Sequence, residues 1–170
     1  MNSSTAENNQ APEMQQNLEL LKEMPFFSSF PGKAIKLLAF LAERARVSPG
    51  DVLFEEGDDH GRAYLILSGK LTLVKQQDNT KLLVKHFAEG DFLGFFSLLG
   101  AMPALFTLEA ATETTLLTIN RKQFSKILEQ FPETTPLALK ALLKELHAWE
   151  RKNIHQAAAC CLGRMGVTVL

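Results

Sequence analysis

The sequence predicts an α+β fold: an eight-stranded antiparallel β-roll, a jelly roll, flanked by N-terminal helices and a long C-terminal helix. Three stretches of different periodicity point to it. Apolar residues recur at three- and four-residue spacing from Met14 to about Arg44; short β-rich runs bounded by turn residues fill Ala45 to Asn120; and the helical period returns at Arg121. With 170 residues, 46% of them apolar, the chain is long enough to bury one full core without disulfides or a structural metal.

Taken in order, residues 1–13 (MNSSTAENNQAPE) are polar and are expected to form a disordered tail, with no apolar stretch to serve as a signal-peptide core. The domain proper is expected over 14–160. Across 14–44, Leu18, Leu21, Ile35, Leu37, Leu38 and Leu41, punctuated by Pro25 and Pro31, predict two or three short helices. Within the roll, 45–120, the strand candidates are Val52 to Phe54, Ala63 to Leu67, Lys70 to Lys75, Leu82 to Phe87, Phe106 to Ala110 and Thr114 to Ile119. The turns SPGD, EEGDDHG, SGK, QDNT and AEGD separate them.

Helices are expected over 121–160: first RKQFSKILEQF, with Asn120 as its N-cap, then a long stretch from Thr135 to about Ala159. In the long helix Leu139, Leu142, Leu143, Leu146 and Trp149 form an apolar stripe. The stripe suits packing on the roll of its own chain or pairing with a second copy as a short coiled coil, and both can hold at different turns. Asn153, two heptads after Leu139, would set the register of such a pair. Residues 161–170, with Gly163 and Gly166, read as a loose tail.

Several function classes fall away on composition. The net charge of −1, from 18 basic and 19 acidic residues, leaves no basic footprint for nucleic acid. The charge-free run from Phe92 to Leu108 is broken by Gly94, Gly100 and Pro103 and is too short to span a membrane. Cys160 and Cys161 are adjacent, which offers neither a disulfide framework nor zinc-ligand spacing and suggests a cytoplasmic setting. No phosphate loop, dinucleotide fingerprint, HExxH pair or GxSxG elbow is present, so an enzyme is not expected. His60, His86, His147 and His155 are scattered and read as surface or capping residues. Glu55, Glu56, Asp58 and Asp59, beside Gly57 and Gly61, read as a solvated turn. No cofactor or metal is implied.

Five segments together resemble one family. MPFFSSF (24–30), SPGDVLFEEGD (48–58), AYLILSGKLTLV (63–74), HFAEGDFLG (86–94) and LTINRKQFSKILEQFPE (117–133) resemble the cyclic nucleotide-binding domain found in catabolite activator protein and the regulatory subunit of protein kinase A. The resemblance covers roughly residues 18–155, in order and without a large insertion. It implies a phosphate-binding cassette: a short helix whose N-terminal amides face the cyclic phosphate, an Arg whose planar fork holds phosphate oxygens, and a Glu that accepts from the ribose hydroxyl.

The family pattern is approximately Gly-Glu-Leu-Ala, then Pro-Arg-Ala-Ala-Thr. The matching stretch here is GFFSLLGAMPALFT, residues 94–107, with Gly94, Leu98, Pro103 and Thr107 fixing the register. Phe95 stands where the family has Glu, and Ala104 where it has Arg; Leu105 and Phe106 replace the small Ala-Ala pair. No change of register restores the charges, because there is no arginine between Arg62 and Arg121 and no carboxylate between Asp91 and Glu109.

The candidate ligand pocket is therefore Gly94, Phe95, Phe96, Ser97, Pro103, Ala104, Leu105 and Phe106, and binding of cyclic AMP or cyclic GMP through the usual Glu and Arg contacts is not expected. Three outcomes stay open. Phe92, Phe95, Phe96, Leu105 and Phe106 fill the pocket as core; the pocket takes a less polar small molecule, anchored by Ser97 and backbone amides; or a nucleotide is held unconventionally, for instance by Lys85. The family's transcription factors carry a winged helix-turn-helix after the long helix, whereas about a dozen residues follow it here, so DNA is not an expected partner. The resemblance points to a stand-alone regulatory or sensor module. It would act as a homodimer or on a protein effector through Leu139, Leu142, Leu146 and Trp149.

Overall fold

A computed structural model describes residues 4–77 and 80–156, with side chains described over 12–77 and 80–151. Two helices come first, α1 (Ser4–Glu23) and α2 (Gly32–Leu41). Eight strands follow: β1 (Glu43–Val47), β2 (Val52–Phe54), β3 (Arg62–Ser68), β4 (Lys70–Gln77), β5 (Thr80–Ala88), β6 (Phe92–Leu93), β7 (Thr107–Ala110) and β8 (Thr114–Asn120). The short helix α3 (Phe95–Leu99) lies between β6 and β7, and α4 (Arg121–Gln130) and α5 (Thr134–Gln156) complete the order. The strands form two antiparallel four-stranded sheets, β1-β8-β3-β6 and β2-β7-β4-β5, which is the jelly roll the turn spacing predicts.

Burial explains why the central strands read as continuous apolar runs. β3 alternates its side chains between two cores, with Ala63 and Leu65 facing the helices and Tyr64 and Ile66 facing the second sheet. β8 does the same, with Leu117 and Ile119 on the helical side and Leu116 between the sheets. A strand covered on both faces has no polar face to show. The helical core gathers Leu21, Phe27, Leu38, Phe124 and Ile127, all at most 1% exposed, around the outer face of that sheet. The smaller core between the sheets is built on Leu71, Leu108 and Leu116.

The chain crosses from one sheet to the other at a tight turn. Gly69, between β3 and β4, has φ +91°, and a Cβ there would lie 2.4 Å from the carbonyl oxygen of Glu113. Only glycine meets both demands. β5 is an edge strand, paired to β4 alone through a register shift between Leu73 and Val74. Leu82, Leu83 and Val84 on it are exposed.

Three sequence expectations are corrected. Residues 4–13 are not a disordered tail but the first turns of α1. Ala6, Glu7, Gln10 and Glu13 are good helix formers, and α1 runs through Pro12. The N-terminal helices stop at Leu41 rather than near Arg44, because Ala42 turns to an extended conformation and ERARV becomes β1, paired to β8 from Glu43↔Thr118 to Val47↔Thr114. β1 and the two-residue β6 were not among the strand candidates. The expected end of the last helix, both cysteines and the 161–170 tail lie outside the described residues.

Phe124→Ala empties a fully buried site in the helical core and is expected to cost about 3–5 kcal/mol of unfolding free energy in urea titration. Leu82→Ala, on the exposed edge, should stay within about 0.5 kcal/mol of the parent.

Candidate functional site

The segment between β6 and β7 is shaped at its ends and braced in the middle. It leaves β6 at Gly94, whose φ is +82° and where a Cβ would lie 2.6 Å from the Arg62 carbonyl oxygen. α3 follows directly. Leu98 anchors it in the helical core, and the Ser97 N–H donates to the Gly94 carbonyl at 3.0 Å. At the far end, the Ala104 N–H donates to the Asp58 carbonyl and the Ala104 carbonyl accepts from the Gly57 N–H, each at 2.8 Å. Both backbone groups of Ala104 are therefore engaged by the loop that precedes β3.

That loop carries the polar centre of the site. His60 lies flat on Phe54, ring centroids 4.0 Å apart and 6° from parallel, with Tyr64 at 5.9 Å on the same stack. Its Nδ1 accepts from the Arg62 N–H at 3.3 Å, so the neutral ring carries its proton on Nε2, which donates to Ser97 Oγ at 3.2 Å. This assignment denies the pair a nucleophile–base role, since Nε2 cannot take a proton from Ser97. Burial holds the His60 pKa below the ordinary imidazole value, against the opposing pull of Asp59. Burial likewise raises the Tyr64 phenol.

Arg121, the first residue of α4, closes the arrangement. Its guanidinium donates to both carboxylate oxygens of Asp59 and, through Nε, to the Ser97 carbonyl, while its backbone N–H donates to the Gly61 carbonyl at 2.8 Å. The hydrogen bonds from Arg121 hold the Asp59 carboxyl below the usual carboxylate range. Asn120 caps α4, accepting from the Lys122 N–H at 2.8 Å.

The cassette itself brings no charge, since residues 94–106 contain no ionisable side chain. Phe95 is half-buried and turns toward the helical core, with its ring 5.6 Å from Phe26, 6.5 Å from Phe92 and 4.4 Å from Phe96. Phe106 is half-buried beneath the Lys75 ammonium, which is paired with Glu56. Of the residues that one of the three open outcomes would bury as core, two are at the surface: Phe96 is 41% and Leu105 73% exposed. Ala104 is tied to the 57–58 loop, and that pairing leaves Leu105 on the outside. Pro103 is also exposed. Among the described residues, no cluster of His, Cys, Asp or Glu is placed to hold a metal ion, and no helix is long and apolar enough to cross a membrane.

The profile of the cyclic nucleotide-binding domain matches residues 44–131, from β1 to just past α4 and more than half of the chain. The chain belongs to the cyclic nucleotide-binding domain family. It is 32% identical over 111 residues to Lysophospholipase nte1 of Neurospora crassa, a match covering 65% of this chain and 7% of that protein. To the cAMP-dependent protein kinase regulatory subunit of Hypocrea atroviridis it is 28% identical over 108 residues, covering 64% of this chain and 22% of the relative. A solved cyclic nucleotide-binding-like protein from Brucella abortus superposes with TM-score 0.62 at 32% identity, covering 67% of this chain and 98% of that one. The chain thus spans a small part of the curated relatives it matches and nearly the whole of the Brucella protein.

In this cyclic nucleotide-binding domain α5 answers part of the question left open by its stripe. Thr134 and Ala138 are buried, and Leu137 and Ala141 pack against the helical core. Leu142 and Leu146 are half-buried, while Leu139, Leu143 and Trp149 are 53%, 55% and 60% exposed. The own-chain contact is therefore made by a neighbouring, small-residue face, and the leucine stripe lies at its margin and outside it. The Asn153 side chain lies outside the described residues.

Sequence reading missed His60, Asp59 and Arg121 as site residues. Asp59 and Arg121 are far apart in the chain, and no local spacing reports their pairing. Because the His60 pKa is lowered on folding, the unfolded chain binds the proton first. Stability is therefore expected to be full above the ordinary value of 6.5 and to fall as pH drops below it toward the folded-state pKa. His60→Phe, which keeps a ring on Phe54, should flatten that part of a plot of unfolding free energy against pH.

Proposed function

We propose that this chain is a regulatory domain that does not hold cyclic AMP or cyclic GMP by the family's Glu and Arg contacts, and that it acts by protein contact through α5. The absence of any ionisable side chain between Gly94 and Phe106 carries the first half of this reading. A cyclic phosphate there would lose the guanidinium that pairs with its charge, the Ala104 N–H is already engaged with Asp58, and Phe95 faces the helical core rather than a ribose. Losing one member of a buried charge pair costs about 2–5 kcal/mol, or roughly one and a half to three and a half powers of ten in affinity.

The second half is supported by the exposed Leu139, Leu143 and Trp149 on a helix already seated by a neighbouring face. Leu139 and Leu146 take the a positions of a heptad and Leu142 and Trp149 the d positions, the pattern of a helix that pairs along a seam. The fit is to a second copy of this helix or to an effector helix of the same character.

Calorimetric titration of cyclic AMP and cyclic GMP is expected to give no saturable heat with the unmodified protein. The double variant Phe95→Glu with Ala104→Arg should gain binding. Micromolar binding by the unmodified protein would sink the cassette reading. Leu142→Asp with Leu146→Asp should abolish self-association in sedimentation velocity, and an unchanged dimer, or a parent that is monomeric and binds no effector, would remove α5 as the contact.

A further inference from the structure

Where the α1–α2 connection, the β5–β6 turn, the start of α3 and α5 meet lies a cleft of about 200 Å³. Its wall is aromatic: Phe26 from the α1–α2 connection, Phe92 from β6 and Phe95 from α3. The Phe26 ring lies 6.0 Å from Phe92 and 5.6 Å from Phe95, tilted by 46° and 42°, so the rings form an angled wall rather than a flat stack. Among the described residues, the ionisable groups lining the cleft are two carboxylates, Asp91 from the β5–β6 turn and Glu145 from α5, with no lysine, arginine or histidine beside them. Asp91 spends Oδ2 on the Ala88 N–H at 2.8 Å and keeps its other oxygen. Glu145 makes no hydrogen bond or ion pair with any described residue and is exposed.

Ring faces carry the negative part of the aromatic quadrupole and attract cations, most effectively those that surrender little hydration. Quaternary and alkylated ammonium groups meet that condition, while small inorganic cations hold their water too tightly. The carboxylates at the mouth add attraction for a cation and repel the phosphates that the family's cassette was built for. We propose that this cleft binds an organic cation of the alkylammonium class, with Phe26, Phe92 and Phe95 as its aromatic wall and Asp91 and Glu145 as its counter-charges. The cleft shares Phe95 with the candidate ligand pocket, while Phe26, Asp91, Phe92 and Glu145 lie outside that pocket. Phe95, which occupies the ribose-binding position, gains a role there as a wall of the neighbouring cleft.

The test is an amide chemical-shift titration of the intact protein at constant ionic strength. One arm uses choline, for a free small molecule, and the other trimethyllysine amide, for a cation carried on a polypeptide. The control is the uncharged isostere of choline, in which a quaternary carbon replaces the nitrogen. Saturable shifts around Phe26, Asp91 to Phe95 and Glu145 are expected with at least one cation and not with the isostere. Glu145→Gln, at an exposed position that leaves folding intact, should weaken binding about two- to five-fold. Phe95→Leu, which keeps an apolar side chain without a ring, should weaken it about three- to ten-fold. No saturable shift with either cation, equal binding of the isostere, or unchanged affinity in both variants would overturn the assignment.

Discussion

The guanidinium of Arg121 is the interaction on which the site depends. It joins the loop before β3 through Asp59, the cassette helix through the Ser97 carbonyl and, by way of its own backbone, Gly61. α3 has five residues, far too few to be stable as an isolated helix. Its position is imposed from outside, by Leu98 below, Arg121 beside it and His60 against Ser97. A lysine at position 121 would supply charge but not the planar fork that reaches two carboxylate oxygens and a carbonyl together. Neither Phe95 nor Ala104 carries a charge, yet the segment that holds them is fixed at both ends and in the middle.

Architecture was legible because its signals are local. Turn residues at regular spacing divide the roll, β3 and β8 are apolar on both faces, and Asn120 caps α4 as its position suggests. Where the reading failed, the deciding partner was distant in the chain. ERARV looks like the end of a charged helix until β8 lies beside it, and polar residues before Met14 look unstructured until α1 extends back through them. His60 reads as a surface or capping residue because nothing in its neighbourhood of the sequence announces Phe54 beneath it and Ser97 opposite.

The cassette shows why residue identity alone is an incomplete guide to a site. Four large apolar side chains in one short segment left a pocket filled with core as one of three outcomes. In the structure they disperse: Phe95 to the helical cluster, Phe106 beneath a lysine, Phe96 and Leu105 toward solvent. Their destinations follow from backbone constraints at either end, the left-handed Gly94 and the doubly bonded Ala104, rather than from hydrophobicity. An exposed Leu105 next to an occupied Ala104 backbone is therefore a consequence of loop pairing.

The β1–β8 pairing also bears on how the chain comes to be folded. Of the eight strands β1 is the first made and its partner the last, so β1 stays unpaired until residues as far as Asn120 have left the ribosome. Such a long loop is closed late and slowly compared with the β4–β5 hairpin, which can form as soon as it is synthesised. During translation the nascent chain therefore passes through an interval with that hairpin formed and β1 unpaired. In that interval β1 carries backbone N–H and C=O groups that have no ladder partner.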